Sequence, residues 1–202
     1  MWVLVRFPRN LTPRRLALDL YWQLYGHFFY MIESLKIVLV CIVAAIFYGV
    51  IHDQITARIC LEYFTVFHPP VFATQSPTLL AFGWGVTATW WVGAFLGVLL
   101  AIAARAGSRP KLSAASLLKP IGKLLLIMFG SALLAGLTGF VATEKGVIIP
   151  PEWVLNNLTA AADPRFMADW WAHNASYAVG FFGGVILCVL QYTRRIADKS
   201  DA

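Results

Sequence analysis

The chain has 202 residues, of which 59% are hydrophobic and 13% charged, with a formal net charge of +6 and a mean hydropathy of +0.70. Soluble domains average about 45–50% apolar and about 25% charged residues, so a water-soluble globular fold is excluded as a home for this much apolar surface. Cys41, Cys60 and Cys188 form no C-x-x-C pair and no metal-ligand spacing, and no disulfide is expected.

At the N-terminus, the apolar run Met1–Val5 is too short for a signal-peptide core, and no small-residue cleavage site follows it. Thr12-Pro13 reads as a helix start. From there Arg15, Asp19, Gln23, His27 and Tyr30 trace a polar stripe at helical spacing. Leu16, Leu20, Tyr21, Trp22, Leu24, Tyr25, Phe28 and Phe29 fill the other faces. Residues 1–33 are therefore expected to be a cytoplasmic segment built on an amphipathic helix that lies in the membrane interface. A docking helix for a partner subunit is the alternative, and Met31 offers a second translation start that would remove it.

A spanning helix needs about 20 mostly apolar residues to cross a hydrocarbon core of about 30 Å. Four stretches meet this within a transmembrane domain of residues 34–193: Ser34 to Ile51, Pro77 to Ala104, Lys123 to Ala142 and Ser176 to Tyr192. Ser76 and Pro77 are the N-cap and first-turn residues of the second. That span is free of charge over roughly 42 Å at 1.5 Å per residue, so it must tilt or project from the bilayer. Small residues recur along three of the spans: Gly93 and Gly97; Ser131, Ala135 and Gly139; Ser176, Gly180 and Gly184. Helices in lipid approach most closely through such residues, so these stripes are the expected packing faces of a four-helix bundle.

Lysine and arginine set the expected orientation. Thirteen lie in the N-terminal segment, the second-to-third connection and the C-terminal tail of residues 194–202, against three in the other two connections. Both termini are thus expected in the cytoplasm, in a multi-pass protein of a bacterial inner membrane. The basic excess is a topology signal rather than a nucleic-acid footprint, so no nucleic-acid partner is expected.

The central parts of the spans carry no ionisable residue, which argues against a proton relay or a voltage sensor. Polar chemistry concentrates instead in two extracytoplasmic connections. In residues 52–76 the pattern from Ile55 to Tyr63 fits a strand or a continuing helix, and either would pair Arg58 with Glu62. In residues 143–174 Pro150-Pro151 ends any helix carried over. Pro151-Glu152-Trp153 and Asp163-Pro164 open two short ones, the second ending near Trp171.

His52, Asp53, Glu62, His68 and His173 all fall on this side, and imidazole with carboxylate suits Zn, Fe or Mn. No H-x-x-x-H or H-E-x-x-H pattern accompanies them, nor any catalytic triad, P-loop or dinucleotide fingerprint. Three functions follow. The first is a non-catalytic accessory subunit of a larger membrane complex, an energy-transducing one among the candidates, with lipid and membrane proteins as partners. The second is a membrane enzyme or cofactor protein with a metal ion at the outer residues. The third is a small transporter or pore.

Overall fold

The computed structural model describes residues 13–160 and 162–200, with side chains from Leu18 to Ile196 apart from residues 19, 20, 23, 24, 27 and 161. The described residues form six helices and no strand: α1 (Pro13–Ile59), α2 (Glu62–Thr65), α3 (Pro77–Arg105), α4 (Ala114–Glu144), α5 (Glu152–Leu155) and α6 (Asp163–Ser200). Four of them are long and apolar enough to cross a membrane, over Phe28–Ile59, Pro77–Arg105, Ala114–Glu144 and Asp163–Ile196. Leu126 and Leu134 on α4 are about 70% exposed, and comparable apolar surface covers the other three helices. Lipid is the solvent that such a surface requires. The architecture is that of a multi-pass integral membrane protein.

The expected interfacial helix is not a separate element. Its residues and the first span form one helix of 47 residues, about 70 Å at 1.5 Å per residue. No proline falls between Pro13 and Pro69, and Gly26 and Gly49 are each too weak a breaker to end a helix. Tyr21, Trp22, Tyr25, Phe28 and Phe29 are exposed along its first turns, and Tyr25 lies 4.5 Å from Phe29, ring centre to ring centre. The side chains of Arg15, Leu16, Asp19, Leu20, Gln23, Leu24 and His27, which carry most of the expected stripes, lie outside the described residues.

The helices also outrun the expected spans elsewhere. α1 continues through His52 and Asp53 to Ile59, which makes 55–59 helical and rules out a strand there. α4 begins at Ala114, with Ser113 as N-cap accepting from the Ser116 amide, and carries Pro120 within its second turn. α6 begins at Asp163 and runs without a break into the fourth span, where a short helix ending near Trp171 was expected.

α1 and α3 meet through glycines. A Cβ placed on Gly85 would lie 2.6 Å from the Val50 Cα, and one on Gly93 would lie 2.7 Å from the Cys41 carbonyl oxygen. Gly97 faces Val38 in the same way. α4 meets α6 where Gly139 rests on the Met167 carbonyl and Trp171, while Gly180 and Gly184 of α6 face the side chains of Met128 and Leu96. Ser131 and Ala135 are half-buried on α4, and Ser176 bonds the Tyr48 hydroxyl at 2.7 Å.

Two apolar clusters close the ends of the bundle. At the basic end Ile37, Leu100, Leu117, Ile121 and Leu187 pack together. At the other, Ala57, Cys60, Tyr63, Phe64, Leu80, Phe166 and Met167 do so.

The basic end is also fixed by charge. Arg195 is fully buried and donates to the carbonyls of Ala103 (2.6 Å), Ala106 (2.8 Å), Arg109 (3.3 Å) and Pro110 (2.6 Å). A forked cation thereby satisfies carbonyls left open at the C-terminus of α3. Glu33 does the converse, accepting from the Ala114 amide at the α4 N-terminus at 3.2 Å and from Lys36 at 2.7 Å.

Candidate metal centre

The site is assembled by two helices at the end of the bundle away from Arg195. α1 carries Tyr48, His52, Asp53 and Thr56; His52 and Thr56 lie one turn apart on a buried face, and Thr56 donates to the His52 carbonyl at 3.2 Å. α6 carries Asp169, His173 and Ser176, again at helical spacing and all buried. The Tyr48–Ser176 hydrogen bond joins the helices one turn below. His52, Asp53 and His173 each offer a ligand atom, and the three atoms lie within 4.8 Å of one another.

The hydrogen bonding fixes how His173 presents itself. Its Nδ1 lies 2.7 Å from the Asp169 carbonyl oxygen, which only accepts, so Nδ1 carries the hydrogen. Nε2 then faces the Asp53 Oδ1 at 3.3 Å. In a neutral ring that places a lone pair against a carboxylate, which is repulsive unless a positive charge sits between or on them. A proton shared between the two atoms meets this need, and so does a metal ion that binds both. His52 adds a ring that stands edge-on to His173 at 4.5 Å, and its buried Nε2 has no hydrogen-bond partner.

Tetrahedral coordination at about 2.0–2.1 Å separates neighbouring ligand atoms by about 3.3–3.5 Å. The Asp53–His173 separation already matches. A His ligand oriented by a backbone carbonyl through its other nitrogen is the usual supporting arrangement.

Above the cluster lies an aromatic roof. The Tyr63 ring of α2 stacks on His173 at 4.4 Å, Phe64 stands 6.0 Å from His173, and Phe166 packs on Tyr63 at 5.5 Å. Burial raises the Tyr63 hydroxyl above its ordinary pKa of 10.0. The Cys60 thiol beside it is pushed up to about 12, chiefly by burial. Neither group is primed to ionise, so the roof works as an apolar lid.

Of the five expected metal residues, three converge and two do not. Glu62 lies within 3.4 Å of the Cys60 thiol. His68 bonds the Tyr63 carbonyl through Nδ1 at 2.7 Å and packs against Trp84, and its pKa is lowered mainly by burial. The expected Arg58–Glu62 ion pair is absent among the described residues. α1 ends between the two, and Arg58 turns back to Gln54 and the Thr78 hydroxyl.

No family model, curated protein or solved structure matches the chain.

Asp169 is the residue that sequence reasoning missed. It is fully buried, and neither carboxylate oxygen has a hydrogen-bond partner. A signal was present: Asp169, His173 and the small Ser176 share one face if the helix opened by Asp163-Pro164 is continued past Trp171.

Proposed function

We propose that the chain is an integral membrane metalloprotein that holds a divalent transition-metal ion between His52, Asp53 and His173. The supporting observation is the approach of the His173 Nε2 to Asp53 at 3.3 Å with its Nδ1 already engaged, beside the unpartnered His52. Two imidazoles and one carboxylate suit Zn²⁺ or Fe²⁺ and leave at least one position open for water or substrate, as catalytic sites do and structural sites do not. The lysine and arginine distribution supports cytoplasmic termini, and on that orientation the site faces the extracytoplasmic side. It lies near the hydrocarbon boundary, since Gly85 beside Val50 is about 12 Å along α3 from Pro77.

Metal analysis of the full chain purified in mild detergent without a histidine tag tests this. About one equivalent of zinc or iron is expected, falling to background in His173→Asn and Asp53→Asn proteins that keep the wild-type melting temperature. A metal-free wild type that takes up neither Zn²⁺ nor Co²⁺ overturns it.

The accessory-subunit reading is favoured by one observation, the exposed aromatic ladder from Tyr21 to Phe29 on a helix longer than a bilayer requires. Native mass spectrometry in gentle detergent decides it, and a lone monomer counts against it.

A further inference from the structure

A cavity of about 260 Å³ opens between α1, α4 and α6 beside the metal cluster. Its only strongly polar walls are His52 and Asp169; the remainder is apolar, including Ile55, Leu133, Leu137 and Phe140. Thr56 also lines it, but its hydroxyl is spent on the His52 carbonyl. Leu133 and Leu137 are more than half exposed, on a face that lipid covers, so the cavity opens sideways into the bilayer. The route from water is closed by the roof, where Tyr63, Phe64, Phe166 and Met167 are all buried.

Asp169 and His52 are each more than nine-tenths buried, and three of their polar atoms have no partner. A buried polar atom without a partner costs about 1–3 kcal/mol. A carboxyl group accepts hydrogen bonds in either protonation state, so a hydrogen-bond donor is the partner it lacks. A head group with full charge would have to lose its water among apolar walls. An acidic head would also meet the Asp169 carboxyl. The volume is slightly below the roughly 300–1,000 Å³ of ordinary small-molecule pockets, enough for a head and the first part of one chain but not for a two-chain phospholipid.

We infer that this cavity binds a neutral single-chain lipid alcohol, which enters from the bilayer and sets its hydroxyl between Asp169 and His52. The inference deepens the metalloprotein reading on which it rests, because the hydroxyl then lies beside an open metal position. Binding needs no covalent step: the hydroxyl donates to Asp169, and the chain follows α4 out past Leu133 and Leu137.

The test uses the full chain in phospholipid nanodiscs with a 16-carbon alcohol carrying a mid-chain diazirine, followed by mapping of labelled peptides. Labelling is expected within residues 52–59 of α1 and 129–140 of α4. It should be at least tenfold weaker with the matching hydrocarbon or fatty acid. Leu133→Trp, which fills the mouth from the lipid side, should lower labelling at least tenfold while leaving bound metal unchanged. Asp169→Leu should remove the preference for alcohol over hydrocarbon. Labelling that ignores the head group, or that spreads evenly over lipid-facing helix surface, overturns the inference. Specific labelling in a protein without metal refutes the metalloprotein reading alone.

Discussion

Gly85→Ala puts a methyl group where α1 and α3 touch. The new carbon would lie 2.6 Å from both the Cα and the amide nitrogen of Val50, whereas such atoms rest at about 3.5–4.0 Å. Both contacts are backbone, so no side chain can swing aside, and the helices must separate locally by about 1 Å. Overpacking of this kind costs about 1–3 kcal/mol, and the better helix propensity of alanine returns about 0.5–1 kcal/mol. A net loss of about 1–2 kcal/mol is expected, a five- to thirtyfold shift in the folding equilibrium. Gly130→Ala is the control: apart from its own helical backbone nothing lies within 4 Å of its added carbon, so only the favourable propensity remains. Reversible unfolding in mixed micelles, followed by circular dichroism, measures both. The displacement also reaches the candidate site, because His52 and Asp53 follow Val50 within one turn. Metal–ligand distances tolerate only about ±0.2 Å, so Zn²⁺ affinity should fall about tenfold or more. If the two alanine variants unfold alike and bind Zn²⁺ alike, the close α1–α3 approach and its link to the site are both refuted.

Arg195→Met should lower stability by at least about 2–3 kcal/mol, since it strips four carbonyls of a charged donor. Arg195→Lys should recover only part of this, because one ammonium cannot span the fork; a methionine variant that melts like wild type would contradict the geometry. Cys60 should resist maleimide at neutral pH in the folded protein, being 2% exposed with its thiol pushed up to about 12; labelling at the rate of a free thiol would show that the roof opens. Burial lowers the His68 pKa below 6.5 among the rings of Tyr63, Phe64 and Trp84, with His173 and Asp53 as its titratable neighbours. The unfolded chain therefore binds the proton more readily, and the His68 contribution is complete above about pH 6.5 and diminishes as pH falls below it. His68→Gln should flatten the pH dependence of melting between about pH 6.5 and 5; an unchanged slope would exclude His68 as its source.

The four apolar helices were legible because lipid demands long uncharged runs, and α3 in particular carries no charge between Pro77 and Arg105. Helix ends were less legible, for a physical reason. Hydropathy marks where a helix leaves the hydrocarbon, not where its hydrogen bonding stops. α1 therefore extends from Ile51 to Ile59, and α6 reaches back from Ser176 to Asp163. That extension makes the candidate site, since it places His52, Asp53, Asp169 and His173 on rigid helices instead of loops. Glu62 and His68 looked equivalent to them in sequence. The break at Cys60 sends both into the roof, where a thiol and a backbone carbonyl become their partners.

The Arg195 and Glu33 contacts sit at one extremity of a long bundle, and this has a mechanical consequence. They bolt α6 to the turn after α3, and α4 to α1, so the four rods cannot splay there. At the opposite extremity Gln54 and Arg58 tie α1 to Thr78 of α3, and a hydroxyl pair and stacked rings tie α1 and the roof to α6. Among the described residues α4 makes no side-chain hydrogen bond to another helix at that extremity, so the wall it gives the cavity is held by packing alone.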